Sequence, residues 1–344
     1  MANLVFCLSI VTTVCGWMSR LDDSLLIRDI PIIPGSHNSG TAIGRCAVLR
    51  YSIYQVARQQ KLSITNQLVA GVRFLDIRIR YNTVTSQMEV VHTLDTSYSL
   101  ESVLGEVGNF LASEREDFVV LMLRGDWPPT TSFSPNDELK AKRVGELVDL
   151  LKGSRIHWAD RVGMESTVGS VRGQAVFVSD WFQYGIDGSD LLRSLDMPYL
   201  DKSYMYSVCD IWDDNCNEVP SQKISRFMMS SPDWNVGRFM GLFDRLSGGS
   251  TKPRICGSLP GSTLFTGVAL DRTHAFIVPP GLTSNIWNTW FISNLKNNPH
   301  WRPQMNPPVP IGVVLIDFAD DDIVAELIEV GLGMLPSRDS TEDI

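Results

Sequence analysis

Short apolar runs rich in β-branched residues recur along the chain and alternate with amphipathic stretches. The eight runs are, in order, DIPIIP, GVRFLDIRIR, MEVVHTL, DFVVLMLR, QAVFVSD, YMYSVCD, FTGVAL and IGVVLIDF. Helical patterns follow the third run at residues 99–114 and the fourth run at residues 136–153. Strand followed by helix, repeated, predicts a parallel sheet, and about eight strands in one unit predict a distorted TIM, or (β/α)8-type, barrel of the α/β class.

The composition is that of one folded unit with an acidic surface. With 344 residues, of which 44% are hydrophobic, the chain can bury a large core. The formal net charge of −9 and the lack of any basic run argue against a nucleic-acid partner, because phosphate binding depends on clustered Lys and Arg. We expect a monomer.

Three stretches divide the chain. Residues 1–16 are apolar and too short to span a bilayer, so they are either a secretory signal peptide or a first buried strand or helix. Residues 17–335 are expected to form the barrel, and residues 336–344 a solvated tail. The signal-peptide alternative predicts a secreted or membrane-associated protein, and the other alternative a cytoplasmic one.

The cysteines are compatible with either a secreted or a cytoplasmic protein. Without Cys7 and Cys15, an even number remains, namely Cys46, Cys209, Cys216 and Cys256. Cys209 and Cys216 bracket a short loop and are the favoured disulfide pair, while free buried thiols are the alternative.

Polar side chains stand at the ends of nearly all the apolar runs. They are His37, Asp76, Arg78, His92, Arg124, Asp180, Asp210 and Asp317. In a parallel barrel all these strand ends share the C-terminal face, where catalytic groups gather. Because strand side chains alternate between faces, Asp76 and Arg78 are expected to point into the barrel together.

These residue types suit acid–base chemistry at a phosphate. Two imidazoles, His37 and His92, can divide proton removal from proton donation, and arginine can stabilise the charge of the transition state. Asp317 can orient one imidazole, as a carboxylate does in a catalytic triad. The structural alternatives stay open: a buried Asp76–Arg78 ion pair, and histidines that only cap or pack.

Four stretches resemble the X domain of phosphatidylinositol-specific phospholipase C, and most closely its small bacterial and protozoan members, including the glycosylphosphatidylinositol-cleaving type. The stretches are GWMSRLDDSLLIRDIPIIPGSHNSGT, LSITNQLVAGVRFLDIRIR, VVHTLDTSYSLESVLGEVGNFLASEREDFVVLML and IGVVLIDFADDDIVAELIEVG. The likeness covers residues 17 to 125 and 310 to 332, whereas residues 130–305 match only in outline.

The resemblance implies a catalytic set and a reaction. His37 of SHN would be the general base and His92 of VVHT the general acid. Asp76 and Arg78 of FLDIRIR would complete the proton network and neutralise the phosphate, and Asp317 of LIDF would orient the base. In that family the inositol 2-hydroxyl attacks phosphorus, which releases diacylglycerol and a cyclic inositol phosphate.

The resemblance also bears on metal use. Large eukaryotic members bind Ca²⁺ through the Asn after the histidine and through acidic residues on neighbouring strands. Asn38 is present, but Arg78 and Arg124 stand where two carboxylates would be required. Since guanidinium groups repel Ca²⁺, no metal and no cofactor is expected. Asn38 also replaces the Asp that pairs with the general acid in bacterial members, so the resemblance does not imply how His92 is held.

The candidate substrate-binding residues are Asn38, Arg124, Asp210 and Trp212. A surface role for Arg124 and plain packing for Trp212 are the alternatives. Peripheral contact with a membrane that contains phosphatidylinositol or a glycosylphosphatidylinositol is expected from the aromatic stretches DWPPTTSF, WNVGRFMGLF and SNIWNTWF, unless these are core.

Two other functions remain: a catalytically silent lipid-binding barrel, and a metal-dependent glycerophosphodiester or sphingomyelin phosphodiesterase.

Overall fold

A computed structural model describes most of the N-terminal half of the chain and parts of the C-terminal half. The described residues are 12–43, 58–92, 94–125, 137–160, 162–163, 165–180, 200–201, 267–269, 288–289, 292–293, 295–297 and 312–335. The predicted run YMYSVCD, the candidate residues Asp210 and Trp212, the cysteines from Cys46 onward and the tail lie outside these residues, as does almost all of the three aromatic stretches.

The described strands form one mixed sheet. They are β1 (Ile32–Ser36), β2 (Phe74–Asn82), β3 (Gln87–His92), β4 (Leu94–Ser99), β5 (Val119–Gly125), β6 (Ala175–Asp180), β7 (Leu200–Asp201), β8 (Gly267–Ala269) and β9 (Gly312–Ile316). The order across the sheet is β7-β6-β5-β2-β1-β9-β8, with β3 and β4 added as a branch on β2. Within the described residues the sheet is open, with β7 and β8 at its two ends.

Helices cover the sheet where the sequence shows an amphipathic pattern. They are α1 (Thr12–Cys15), α2 (Ile64–Val69), α3 (Leu100–Ser113), α4 (Asp137–Gly153), α5 (Val168–Val171) and α6 (Asp321–Leu332). The two predicted helices, 99–114 and 136–153, are confirmed as α3 and α4. Ser99 caps α3 by accepting a hydrogen bond from the backbone N–H of Ser102, which fixes where this helix begins.

The central strands are parallel and buried on both faces. All residues of β1, β5 and β9 are buried, which explains why their sequences are continuous apolar runs rather than alternating ones. In β1, Ser36 is paired with Ile316 of β9 and with Leu75 of β2. The strands that carry His37, Asp76 and Asp317 are therefore direct neighbours.

The third apolar run departs from the prediction. β3 pairs with β2 in the antiparallel direction, so His92 does not stand at the C-terminal end of a parallel strand. Only residues 83–86 join β2 to β3, and a parallel crossover needs about a dozen residues or more. β4, which follows β3 as a second antiparallel strand, has no counterpart among the predicted strands.

The N-terminal segment packs against the barrel from α1 onward. Cys15, Trp17 and Met18 are buried, and Nε1 of Trp17 donates a hydrogen bond to the backbone oxygen of Gly71 at 3.0 Å. Residues 1–11 lie outside the described part of the chain, so both alternatives for the apolar segment, a signal peptide and a packed strand or helix, stay predictions.

Among the described helices, none combines the length and the apolar character that crossing a bilayer requires.

Candidate active site

His37 follows the last residue of β1 and faces Asp317, which follows the last residue of β9. The backbone N–H of His37 donates to the oxygen of Ile316 at 3.1 Å, so the two strand ends are tied together. Nδ1 of the imidazole lies 2.9 Å from Oδ1 of Asp317, and His37 is mostly buried. A carboxylate can only accept, so Nδ1 carries the proton, and the lone pair of the neutral ring is on Nε2. The predicted pairing is thus present in the structure.

Asn38 lies against the same imidazole. Its Nδ2 is 2.8 Å from Nε2 of His37, where the amide donates to the ring lone pair. The residue is buried and left-handed, with φ of 46°, a conformation that asparagine tolerates better than most residues. Its Oδ1 is buried and has no hydrogen-bond partner among the described residues. The contact that the structure gives the Asn38 side chain is therefore with the candidate base, while substrate binding by Asn38 stays a prediction.

Asp76 is fully buried beside an imidazole and two guanidinium groups. Its Oδ2 lies 4.0 Å from Nε2 of His37, and its Oδ1 lies 3.9 Å from Nε of Arg124. Burial by itself raises the pKa of Asp76, but Arg124, His37 and Arg78, together with the N–H of Asn38, outweigh it and hold the pKa below its ordinary value. Asp76 is therefore a carboxylate at neutral pH and neutralises part of a cationic site.

A serine bridge holds the backbone of Asp76 against the turn after β1. The N–H of Asp76 donates to Oγ of Ser39 at 2.9 Å, and Oγ of Ser39 donates to the backbone oxygen of Ser36 at 2.8 Å. Oγ of Ser36 in turn donates to Oγ of Ser39 at 2.7 Å. The position of Asp76 relative to His37 is thus fixed from both strands.

Arg78 and Arg124 are register partners on the neighbouring parallel strands β2 and β5. Arg78 stands two residues beyond Asp76, on the same face of β2, as the sequence predicts. Its Nε is buried and has no hydrogen-bond partner among the described residues. Two guanidinium groups beside Asp76 give this edge of the sheet positive charge, and Arg124 is buried rather than on the surface, while its role in substrate binding stays a prediction.

His92 reaches the site by way of the hairpin. β2 continues past Arg78 to Asn82, and β3 returns antiparallel with Ile79 opposite Val90, so the chain comes back to the level of the site at His92. The ring centroids of His37 and His92 are 6.3 Å apart, with an angle of 74° between the ring planes. The two predicted histidines therefore share one site, although the topology that brings them together differs from the prediction.

The donor set does not fit Ca²⁺. This cation takes six to eight oxygen ligands, whereas here the guanidinium groups of Arg78 and Arg124 lie beside the carboxylate of Asp76. No group of three or more His, Cys, Asp or Glu side chains that could hold a metal occurs among the described residues. The described side chains of this site therefore suit an anion better than Ca²⁺.

Sequence reasoning missed two residues that support the site. Gln60 and Asn288 are buried amides that donate to backbone oxygens beside His37 and Asp317. Neither residue lies at the end of an apolar run, and Asn288 belongs to SNIWNTWF, for which the sequence predicts membrane contact or core packing rather than a place beside the site.

The arrangement can accept and donate protons at an anion. His37 offers a lone pair on Nε2 and is backed by the carboxylate of Asp317, which stabilises the imidazolium once a proton arrives. His92 is close enough to His37 for both rings to contact one small bound group. Arg78 supplies positive charge beside Asp76. Proton transfer on two sides of a bound phosphodiester is the chemistry that these groups support best.

Part of the chain is similar to a known family. The family model described as PI-PLC X matches residues 35–140. Human PI-PLC X domain-containing protein 1 is 30% identical over 139 residues, which cover 31% of this chain and 41% of that protein. The 1-phosphatidylinositol phosphodiesterase of Listeria monocytogenes is 27% identical over 119 residues, covering 34% of this chain and 35% of that protein. The chain thus spans about two fifths or less of the length of these curated relatives.

Solved structures show the same fold over most of the chain. A mutant of the phosphatidylinositol-specific phospholipase C of Staphylococcus aureus superimposes with a TM-score of 0.59 at 18% identity and covers 94% of this chain and 98% of its own. The enzyme of Listeria monocytogenes gives a TM-score of 0.53 at 17% identity, with 92% and 98% covered. Residues 35–140 of this chain therefore match the PI-PLC X family model, and the fold of the chain is similar to the distorted TIM-type barrel of the bacterial phosphatidylinositol-specific phospholipases C.

Proposed function

We propose that this chain is a phosphatidylinositol phosphodiesterase that cleaves the bond between glycerol and phosphate. The substrate is phosphatidylinositol or a glycosylphosphatidylinositol, and the products are the diacylglycerol part and an inositol 1,2-cyclic phosphate. The observation that carries the proposal is the pair of imidazoles 6.3 Å apart, one of them hydrogen-bonded to a buried carboxylate.

The reaction is an attack within the substrate. Nε2 of His37 takes the proton of the inositol 2-hydroxyl while the hydroxyl oxygen bonds to phosphorus. The bond between phosphorus and the glycerol oxygen breaks, and the His92 imidazolium gives its proton to that oxygen. His37 ends protonated and His92 neutral, and exchange with solvent resets both rings. Before the first step, the 2-hydroxyl must displace the Asn38 amide from Nε2 of His37.

Arg78 stabilises the charge that grows on the non-bridging oxygens. A planar guanidinium presents a fork of donors to two oxygens at once, and the buried Nε of Arg78 has no hydrogen-bond partner among the described residues. Arg124, in register beside it, adds to the positive potential. We therefore propose that turnover is independent of metal ions.

The experiment is a lipid-cleavage assay on the full chain with two substrates and two conditions. Phosphatidylinositol and a glycosylphosphatidylinositol-anchored protein are each incubated in EDTA and in Ca²⁺. Cleavage in EDTA supports the proposal, and His37→Ala or His92→Ala should lower the turnover of the cleaved lipid by about 10²- to 10⁴-fold without unfolding the protein. Unchanged activity in either variant would overturn the assigned roles.

The same assay separates the other candidate functions. A silent lipid-binding barrel would bind vesicles that contain phosphatidylinositol but release no product under any condition. A metal-dependent glycerophosphodiester or sphingomyelin phosphodiesterase would lose its activity in EDTA and would not need phosphatidylinositol.

Access to the lipid is proposed to come from peripheral contact through the aromatic stretches DWPPTTSF, WNVGRFMGLF and SNIWNTWF. Aromatic side chains suit the bilayer interface, and they can provide binding where an acidic protein gains little from charge. A secreted or membrane-associated location is consistent with this, and a cytoplasmic one remains the alternative. Co-sedimentation with vesicles, with and without Trp127→Ala in the first stretch, tests the contact.

A further inference from the structure

Gln60 is a fully buried side chain between the two strand ends that carry His37 and Asp317. Its Nε2 donates to the backbone oxygen of His37 at 2.8 Å and to that of Ile316 at 3.0 Å. Its Oε1 accepts from the backbone N–H of Ala319 at 3.0 Å. One amide therefore holds the backbone of His37 and the backbone on both sides of Asp317.

These bonds fall where the regular pairing of β1 and β9 stops. The last paired residues are Ser36 and Ile316, and the side chains that form the base and its carboxylate come directly afterwards. Beyond that point the backbone groups need other partners, because buried N–H and C=O groups are costly to leave unpaired. Gln60 supplies partners for the oxygen of His37 and the N–H of Ala319, and it is a second donor to the oxygen of Ile316, which also accepts from the N–H of His37. It thereby prolongs the connection between the two strands by one step.

The segment that carries Gln60 is itself tied to both turns. Oγ1 of Thr41 accepts from the N–H of Gln59 at 2.9 Å and of Gln60 at 3.2 Å, and it donates to the oxygen of Asn38 at 2.9 Å. The N–H of Phe318 donates to the oxygen of Gln59 at 2.7 Å. Residues 59–60 thus form a bridge from the turn after β1 to the turn after β9.

We propose that Gln60 is a positioning residue, which sets the distance and angle of the hydrogen bond between Nδ1 of His37 and Oδ1 of Asp317. It touches neither the substrate nor the reacting atoms, and it acts through the two residues whose backbone it holds. Its importance for turnover rests on the proposed function, but its effect on the His37–Asp317 hydrogen bond does not.

A purely structural role for Gln60 would give a different result when the residue is replaced. Loss of a buried amide would then lower the unfolding temperature but leave the imidazole of His37 in the folded protein unchanged. A positioning role predicts that the environment of the ring changes while the protein stays folded.

The test compares Gln60→Met, which is similar in size but cannot hydrogen-bond in this way, with the matched control Tyr98→Phe. The hydroxyl of Tyr98 also donates a part-buried hydrogen bond, to Glu106, in the contact between β4 and α3. Both variants are labelled with ¹⁵N-histidine, and the Nδ1–H signal of His37 is identified by its loss in His37→Ala. We expect Gln60→Met to shift or broaden this signal and Tyr98→Phe to leave it in place.

Kinetics complete the test. Gln60→Met should lower kcat by about 10- to 100-fold with KM nearly unchanged, since a small misplacement of an acting group affects the chemical step. A wild-type Nδ1–H signal and a wild-type kcat in folded Gln60→Met would overturn the proposal. If the wild type cleaves no phosphatidylinositol but the signal still shifts, the proposed function fails and the positioning of the pair by Gln60 stands.

Discussion

Nδ1 of His37 and Oδ1 of Asp317 are 2.9 Å apart, although 280 residues separate them in the chain. Each residue directly follows one member of the last register pair of β1 and β9, Ser36 and Ile316. The general base of the proposed reaction is thus assembled from the first and last strands of the described barrel. Its geometry depends on the pairing of these strands more than on any local sequence.

Asp317→Asn should lower kcat for phosphatidylinositol by up to about 10⁴-fold. An amide at this position can donate to Nδ1 of His37, which moves the ring proton to Nε2 and removes the lone pair that accepts the substrate proton. The measurement is kcat in EDTA, with the unfolding temperature as the control for folding. Activity above half of the wild-type value would contradict the role assigned to Asp317.

Arg78→Lys should lower kcat by about 10²- to 10³-fold, with a smaller change in KM. Lysine keeps the charge but loses the planar fork of donors, so it cannot hold two phosphate oxygens in the same way. Assays in EDTA and in Ca²⁺ should give the same loss, because the site does not fit that ion. Retention of more than a tenth of kcat would show that Arg78 acts only as a diffuse positive charge.

The parallel part of the barrel and most of the site could be predicted from the sequence. Apolar runs report burial, and a polar residue at the end of such a run marks the edge of the sheet where side chains from distant segments meet. On this basis His37, Asp76, Arg78, Arg124 and Asp317 were correctly placed at one edge of the sheet. The register confirms that Arg78 and Arg124 are neighbours.

The direction of β3 was predicted wrongly because an apolar run carries no information about strand direction. That information lies in the connection, and residues 83–86 are too few for a crossover. Gln60 was missed for a different reason. It bonds to backbone groups that lie 23, 256 and 259 residues away, and no periodic pattern of side chains reports such contacts.

Gly40→Ala should lower both stability and turnover. A Cβ at Gly40 would stand 2.6 Å from Cγ1 of Val90, closer than real contacts allow, so the Val90 side chain on β3 must shift away from the turn after β1. Such overpacking typically costs about 1–3 kcal/mol. Because His92 follows Val90 on β3, the shift should also separate the two imidazoles and lower kcat by about 10²-fold.

Gly105→Ala is the matched control for this change. Nothing lies within 4 Å of a Cβ at Gly105 on α3, and alanine favours a helix by about 0.5–1 kcal/mol over glycine. We expect a slightly higher unfolding temperature and wild-type kcat. If Gly40→Ala behaved in the same way, the close packing between the turn and β3 would have no bearing on the site.

Asp76→Asn should lower the free energy of unfolding at neutral pH, and the difference from the wild type should disappear in acid. Burial by itself raises the pKa of Asp76, but Arg124, His37 and Arg78 with the N–H of Asn38 hold it below the ordinary value of 3.8.

A carboxyl group with a lowered pKa in the folded state contributes stability that is present above its ordinary value. That contribution is lost as the pH falls through the lowered pKa, because the unfolded chain then binds the proton more readily than the folded one. Removing the buried charge of Asp76 leaves its positive neighbours uncompensated, which lowers the free energy of unfolding. The free energy of unfolding of wild type and Asp76→Asn, measured by urea denaturation from pH 7 down to pH 2, should therefore differ by a constant amount down to about pH 5 and converge below the ordinary value of 3.8. A difference that grows as the pH falls through this range would mean that burial, rather than the positive neighbours, sets the charge state of Asp76.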